Sequence, residues 1–138
     1  MTYVLEKSAR IYKIEKKEFG LKLTFAETIE FDEMMNWFED SKTHLYEQKK
    51  GFCVFVDMRT LLPLDQKTQA VMEMGQRLYR EFGMIRSVVI LDNIELTNQF
   101  KKIAKDSMIF KNERYIDISL IPNWEITGIN WLLNQIEP

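Results

Sequence analysis

The chain has 138 residues, 46% hydrophobic and 29% charged, with 19 basic against 21 acidic side chains and a net charge of −2. That length is one domain, residues 1–138, with enough chain to bury a core, and the composition excludes a disordered chain. The charge balance excludes the basic surplus of a typical nucleic-acid binder, and a single Cys and a single His exclude an internal disulfide and a thiolate zinc site.

The lysines cluster at 13, 16 and 17, at 49 and 50, and at 101, 102 and 105, but Glu15, Glu18, Glu47 and Asp106 dilute each group. Such mixed runs read as solvated faces. No uncharged apolar run approaches the length of a membrane span. The start, MTYVLEKSARIYKIEKK, has no apolar h-region of a signal peptide. The expected location is cytoplasmic.

In chain order, Ala9–Glu15 predicts a strand. A turn at Lys17-Glu18-Phe19-Gly20 follows, with glycine free to take φ > 0. Leu21, Leu23 and Phe25 alternate with Lys22 and Thr24, so the pair reads as a hairpin with one wet face. A helix follows from Ile29 or Asp32 to Glu47, with Thr28 and Asp32 as N-caps and Phe31, Met34, Met35, Phe38 and Leu45 at helical spacing.

Gly51 opens the strongest strand, Phe52-Cys53-Val54-Phe55-Val56, which is apolar at every position and so expected at the centre of the sheet. It is expected to stop at Asp57. The next helix, Asp65–Phe82, shows Val71, Met74, Leu78 and Phe82 at spacings of 3, 4 and 4, a core stripe, which leaves Met72 and Tyr79 on its flanks. Gly75 beside that stripe predicts close approach to the sheet, and Gly83 is placed as the C′ residue.

Ile85–Leu91 is the fourth strand. Asp92-Asn93-Ile94-Glu95 supplies caps for a third helix with Leu96, Phe100, Ile103, Ala104 and Met108 on its apolar face. Arg114–Ile121 alternates as a fifth strand, with Ile116, Ile118 and Leu120 on one face. Pro122-Asn123 starts a last helix, Trp124–Ile136. The order is ββαβαβαβα. Strands separated by helices predict parallel crossovers, hence an α/β fold: a single-layer mixed five-stranded sheet with an N-terminal hairpin and flanking helices.

Ligands of open α/β sheets bind at the carboxyl ends of the strands, which places Asp57, Arg59, Thr60, Asp65, Lys67, Thr68 and Asp92 at the edge to watch. Asp57, Asp65 and Asp92 serve either as caps and loop acceptors or as ligands of Mg²⁺ with phosphate. Arg59 could pair with Asp57 or with an anion, and Thr60 or Thr68 could accept a phosphoryl group. Cys53, inside a buried strand, reads as core, and His44 as a group at a helix C-terminus. With no serine elbow and no glycine-rich phosphate loop, no catalytic residue, cofactor or metal is expected. The 8 Met and 17 aromatic residues read as adaptable core packing, or as the lining of an apolar cavity or partner surface. Trp37 and Trp124 raise the same question.

The run Val54-Phe55-Val56-Asp57-Met58, with Leu64-Asp65-Gln66-Lys67-Thr68 opening a helix, resembles the STAS domain family, which includes anti-anti-sigma factors of the SpoIIAA type. Gly83–Val89, Thr97-Asn98-Gln99-Phe100 and Trp131-Leu132-Leu133 look like the small bacterial SpoIIAA-like proteins grouped with Sec14-type lipid-binding domains. The resemblance spans Ala9 to Ile136. It implies a SpoIIAA-like fold and a non-enzymatic binding or regulatory role through a protein surface. Anti-anti-sigma factors typically carry Asp-Ser-Ser/Thr-Gly where this chain reads Asp65-Gln66-Lys67-Thr68. Lys67 takes the phosphoacceptor place and Thr68 is displaced by one, so the resemblance implies the fold without the switch. The Sec14-like relatives imply a second reading, a carrier or sensor of a lipid or other small apolar ligand. A Mg²⁺-dependent phosphate enzyme using Asp57 and Asp92 is the third. A homodimer through an exposed apolar helix face is a further expectation.

Overall fold

The apolar run after Gly51 forms the middle strand of the sheet. The computed structural model describes residues 11–138. In it the elements are β1 (Tyr12–Lys17), β2 (Gly20–Glu27), α1 (Phe31–Tyr46), β3 (Cys53–Leu61), α2 (Gln66–Glu81), β4 (Arg86–Leu91), α3 (Ile94–Asp106), a 3-10 turn (Phe110–Asn112), β5 (Glu113–Asp117) and α4 (Trp124–Asn134). The sheet order is β1-β2-β3-β4-β5. β1 and β2 form an antiparallel hairpin, and β2 through β5 are parallel. The expected mixed five-stranded sheet with an N-terminal hairpin is therefore present. Ala9 and Arg10, the expected start of the first strand, lie outside the described residues.

Strand order equals chain order, so α1, α2 and α3 each join neighbouring strands. Crossovers share one hand, and successive crossovers moving the same way must land on one face. α1, α2 and α3 do so, over a core that includes Leu23, Phe25, Trp37, Val54, Val56, Met58, Val89 and Phe100. Among the described helices α4 alone lies on the other face, where Trp131 and Leu132 pack on Phe55, Val88, Ile90 and Ile116. Alternation along β3 feeds both layers: Val54, Val56 and Met58 point to three helices, Cys53 and Phe55 to one.

Several local expectations change. β3 does not stop at Asp57 but continues to Leu61, because Ala26 and Glu27 of β2 pair with Thr60 and Leu61 beyond a register shift. The N-cap of α1 is Glu30, not Thr28 or Asp32. Glu30 and Glu33 form a reciprocal capping box in which the Glu30 amide donates to Glu33 Oε1 at 2.9 Å. β5 ends at Asp117, so Ile118 lies beyond it and Leu120 is exposed rather than a strand position.

α2 is rotated from its expected face. Met72 and Tyr79, expected on the flank, are buried, whereas Met74 is exposed. The buried line is Thr68, Val71, Met72, Gly75, Gln76 and Tyr79. Gln76 is held inside: Ser107 Oγ donates to Gln76 Oε1 at 2.6 Å. Gly75 faces α1 rather than the sheet. A Cβ there would come within 2.2 Å of the Trp37 ring. The absence of that atom lets Trp37 lie against α2, stacked on Tyr79 with centroids 5.7 Å apart. Gly83 follows α2 at φ +104°, as placed.

Candidate functional site

β3 carries Asp57 on the α4 side of the sheet, two residues beyond Phe55. Arg59 is the next residue on that side. Its Nε and Nη2 donate to Asp57 Oδ1 and Oδ2 at 3.0 and 2.9 Å, and its amide donates to Oδ1 at 3.1 Å. The guanidinium also lies 4.3 Å from the centre of the Trp124 ring. The Asp57 carboxylate is buried beneath it. A bidentate pair stacked on an indole fixes the first residue of α4 to β3. It also occupies both oxygens of the carboxylate that Mg²⁺ would need.

A second group gathers at the start of α2. Asp65 is the N-cap, and its Oδ1 accepts the Thr68 amide at 2.8 Å. The Thr68 hydroxyl, and then that amide, hold the Asp65 carboxyl below its usual range. Thr68 is wholly buried, so it is no exposed phosphoryl acceptor. Lys67 is exposed, and its ammonium sits 4.9 Å from the centre of the Phe31 ring, linking the first turns of α1 and α2.

Thr60 and Asp92 are exposed and join neither group. The cap of α3 is Asn93, not Asp92: Asn93 Oδ1 accepts the Leu96 amide at 2.9 Å. Among the described residues, no three of His, Cys, Asp and Glu come together as a metal site. Cys53 is buried, and burial pushes its thiol up, as suits a core residue.

The seven sequence-selected residues thus share one edge but form two clusters and two single positions. The same edge carries residues that the sequence did not single out together. Every parallel strand is followed by an exposed apolar side chain: Phe31 after β2, Leu62 after β3, Ile94 after β4 and Leu120 after β5, exposed by 36%, 50%, 76% and 77%. Each sits in a loop or at a helix start, and periodicity assigns Phe31 and Leu120 to element faces instead of to this edge. They become a row only when the strand order is known.

A second polar cluster lies inside the three-helix core. Glu113 is fully buried, its carboxylate accepting the Ser87 hydroxyl at 2.8 Å and the Tyr115 hydroxyl at 2.5 Å. No described cation pairs with it. Burial pushes it up to about 7, against the lowering effect of those two hydroxyls. It borders a cavity of about 30 Å³ shared with Trp37, Gln76 and Tyr79, close to the volume of one water.

No helix among the described residues is long and apolar enough to cross a membrane. Compared with protein-family models, the chain matches none, and no curated protein matches it.

Proposed function

We propose that this chain is a non-enzymatic binding module of STAS-like type, with a SpoIIAA-like fold, that contacts a protein partner through the carboxyl edge of its sheet. One observation carries the reading: the row Phe31, Leu62, Ile94 and Leu120 along that edge. The row follows the ends of four neighbouring strands, which are roughly 4.8 Å apart. Asp65, Lys67, Asp92 and Asp117 lie among them, all exposed. Apolar groups inside a charged rim have the composition of a protein contact.

The chemistry of the edge fits a role without a phosphoryl switch. Lys67 stands in the phosphoacceptor place, and the neighbouring Thr68 is enclosed by the core. Asp57 is held by Arg59, which favours a structural carboxylate over a Mg²⁺ ligand. A lipid carrier finds less support, since small-molecule pockets occupy some 300–1,000 Å³ and the interior cavity is about 30 Å³.

The test is retention of partners from a lysate by the immobilised chain. A Leu62→Asp/Ile94→Asp variant should lose the proteins that the parent chain retains, and a Met74→Asp variant, altered on the outer side of α2, should keep them. Equal retention by both variants would overturn the reading.

A further inference from the structure

α4 depends on its docking more than any other described helix. It has 11 residues, fewer than the roughly 12–15 at which an isolated helix becomes even marginal. Its interior holds Ile126, Thr127, Gly128 and Ile129 in succession, three β-branched residues and a glycine, all of which lower helix preference. No described side chain caps its start at Asn123, and its end at Gln135 stands at φ 55°, where glycine is the usual residue. α1, α2 and α3 each begin with a capping box or a side-chain cap.

Docking supplies what the helix lacks. The layer under α4 is a core of its own. It joins Cys53, Phe55, Val88, Ile90 and Ile116 of the sheet to Trp131 and Leu132, and no residue of α1, α2 or α3 belongs to it. Toward each end an arginine grips a carboxylate and lies on an indole of the helix. At the start these are Arg59, Asp57 and Trp124. Toward the end, Arg114 Nε and Nη2 donate to Glu137 Oε1 and Oε2 at 2.6 and 2.8 Å, and the guanidinium lies 4.0 Å from the centre of the Trp131 ring. Between the two clamps Gly128 is pressed on the sheet, where a Cβ would meet Phe55 Cε2 at 2.8 Å.

We propose that α4 is a strap that opens as one unit, undocking and unwinding together while the three-helix layer stays folded. A helix too short and too weakly capped to persist alone loses its turns when it loses the sheet. Opening of such a unit lies below global unfolding in free energy. It uncovers the second face of β3, β4 and β5, and parallel strands keep both faces covered. The strap therefore governs access to an apolar surface. The chain's single cysteine reports the motion, because Cys53 is 4% exposed under α4 and its Sγ donates to the Leu132 carbonyl at 3.5 Å.

Labelling of Cys53 in the folded full chain by an aromatic disulfide, over a series of urea concentrations, tests this. Labelling should proceed through an opening whose free energy and urea slope are both smaller than those of global unfolding read by circular dichroism. Arg59→Ala and Arg114→Ala, at opposite ends of α4, should each speed labelling, the first at least about ten-fold. Gly128→Ala should speed it too, although alanine favours the helix. Gly75→Ala, which disturbs only the three-helix layer, should lower global stability and leave labelling without urea unchanged. Labelling that follows global unfolding in every chain would overturn the proposal. A response to Arg114→Ala without one to Arg59→Ala would overturn it as well, by reducing the motion to fraying of the last turn.

Discussion

Ser87 and Glu113 are register partners across β4 and β5, and the serine hydroxyl donates to the glutamate at 2.8 Å inside the core. The carboxyl thus has hydroxyl donors but no described cation, in a place where an ion is poorly solvated. Its value is raised from 4.5 to about 7. Between those values the folded chain binds more protons at this site than the unfolded chain. Stability therefore falls as pH rises through that window, and the loss is complete above pH 7. The size of the shift corresponds to roughly 3 kcal/mol. Urea unfolding at pH 5 and pH 8 should show this loss in the parent chain. Glu113→Gln, which keeps the shape without the charge, should flatten the profile. An equal slope in both chains would assign the pH dependence to another group.

Arg59 holds Asp57 from the solvent side and stacks on Trp124. Arg59→Ala would leave the buried carboxylate with one amide donor and free the start of α4, a loss of about 2 kcal/mol. Arg59→Lys keeps the charge but loses the fork and the planar stack, so it should recover only part of that. Chemical denaturation gives the energies, and tryptophan fluorescence reports Trp124. Full recovery by lysine would mean that charge alone carries the link.

Gly75 and Trp37 fix the distance between α1 and α2. Alanine at 75 gains about 1 kcal/mol of helix preference. However, its Cβ would stand 2.2 Å from a fully buried ring, and overpacking of a closed core costs about 1–3 kcal/mol. Gly75→Ala should therefore destabilise. In a Trp37→Leu background the same change should become neutral or stabilising, giving a strong coupling in a double-mutant cycle. Additive energies would show that the two helices separate freely.

The backbone plan was legible because it rests on residues that do one thing. The apolar run through Val54, Phe55 and Val56 can only lie between two layers, and Leu21, Leu23 and Phe25 alternate without interruption. The face of α2 was not legible for the opposite reason. Its buried line contains the polar Thr68 and Gln76, and Gln76 is tolerated inside because Ser107, 31 positions away, supplies a partner. Met74, by contrast, is apolar but exposed. Glu113 escaped notice because glutamate is normally a surface residue. Its acceptor role needs Ser87, which is 26 positions away. Of the selected edge residues, Asp57 and Arg59 pair as one reading allowed, whereas Thr60 and Asp92 stand apart. No local pattern announced that Leu62, Ile94 and Leu120 would align.

Lys67 and Thr68 are adjacent, yet the fold treats them oppositely. Lys67 is exposed, and its ring contact with Phe31 is worth about 0.5–1 kcal/mol at a surface site. Lys67→Ser should therefore fold with at most that loss and place a hydroxyl where the resembled family keeps its phosphoacceptor. Thr68→Asp puts a charge into a fully enclosed position with the Asp65 carboxylate beside it, so a loss of about 3–5 kcal/mol is expected. Thermal melts of the two variants make the comparison. If Thr68→Asp melted like the parent, the threonine would be accessible after all and the displaced switch would return to consideration. If Lys67→Ser unfolded, the lysine would be structural.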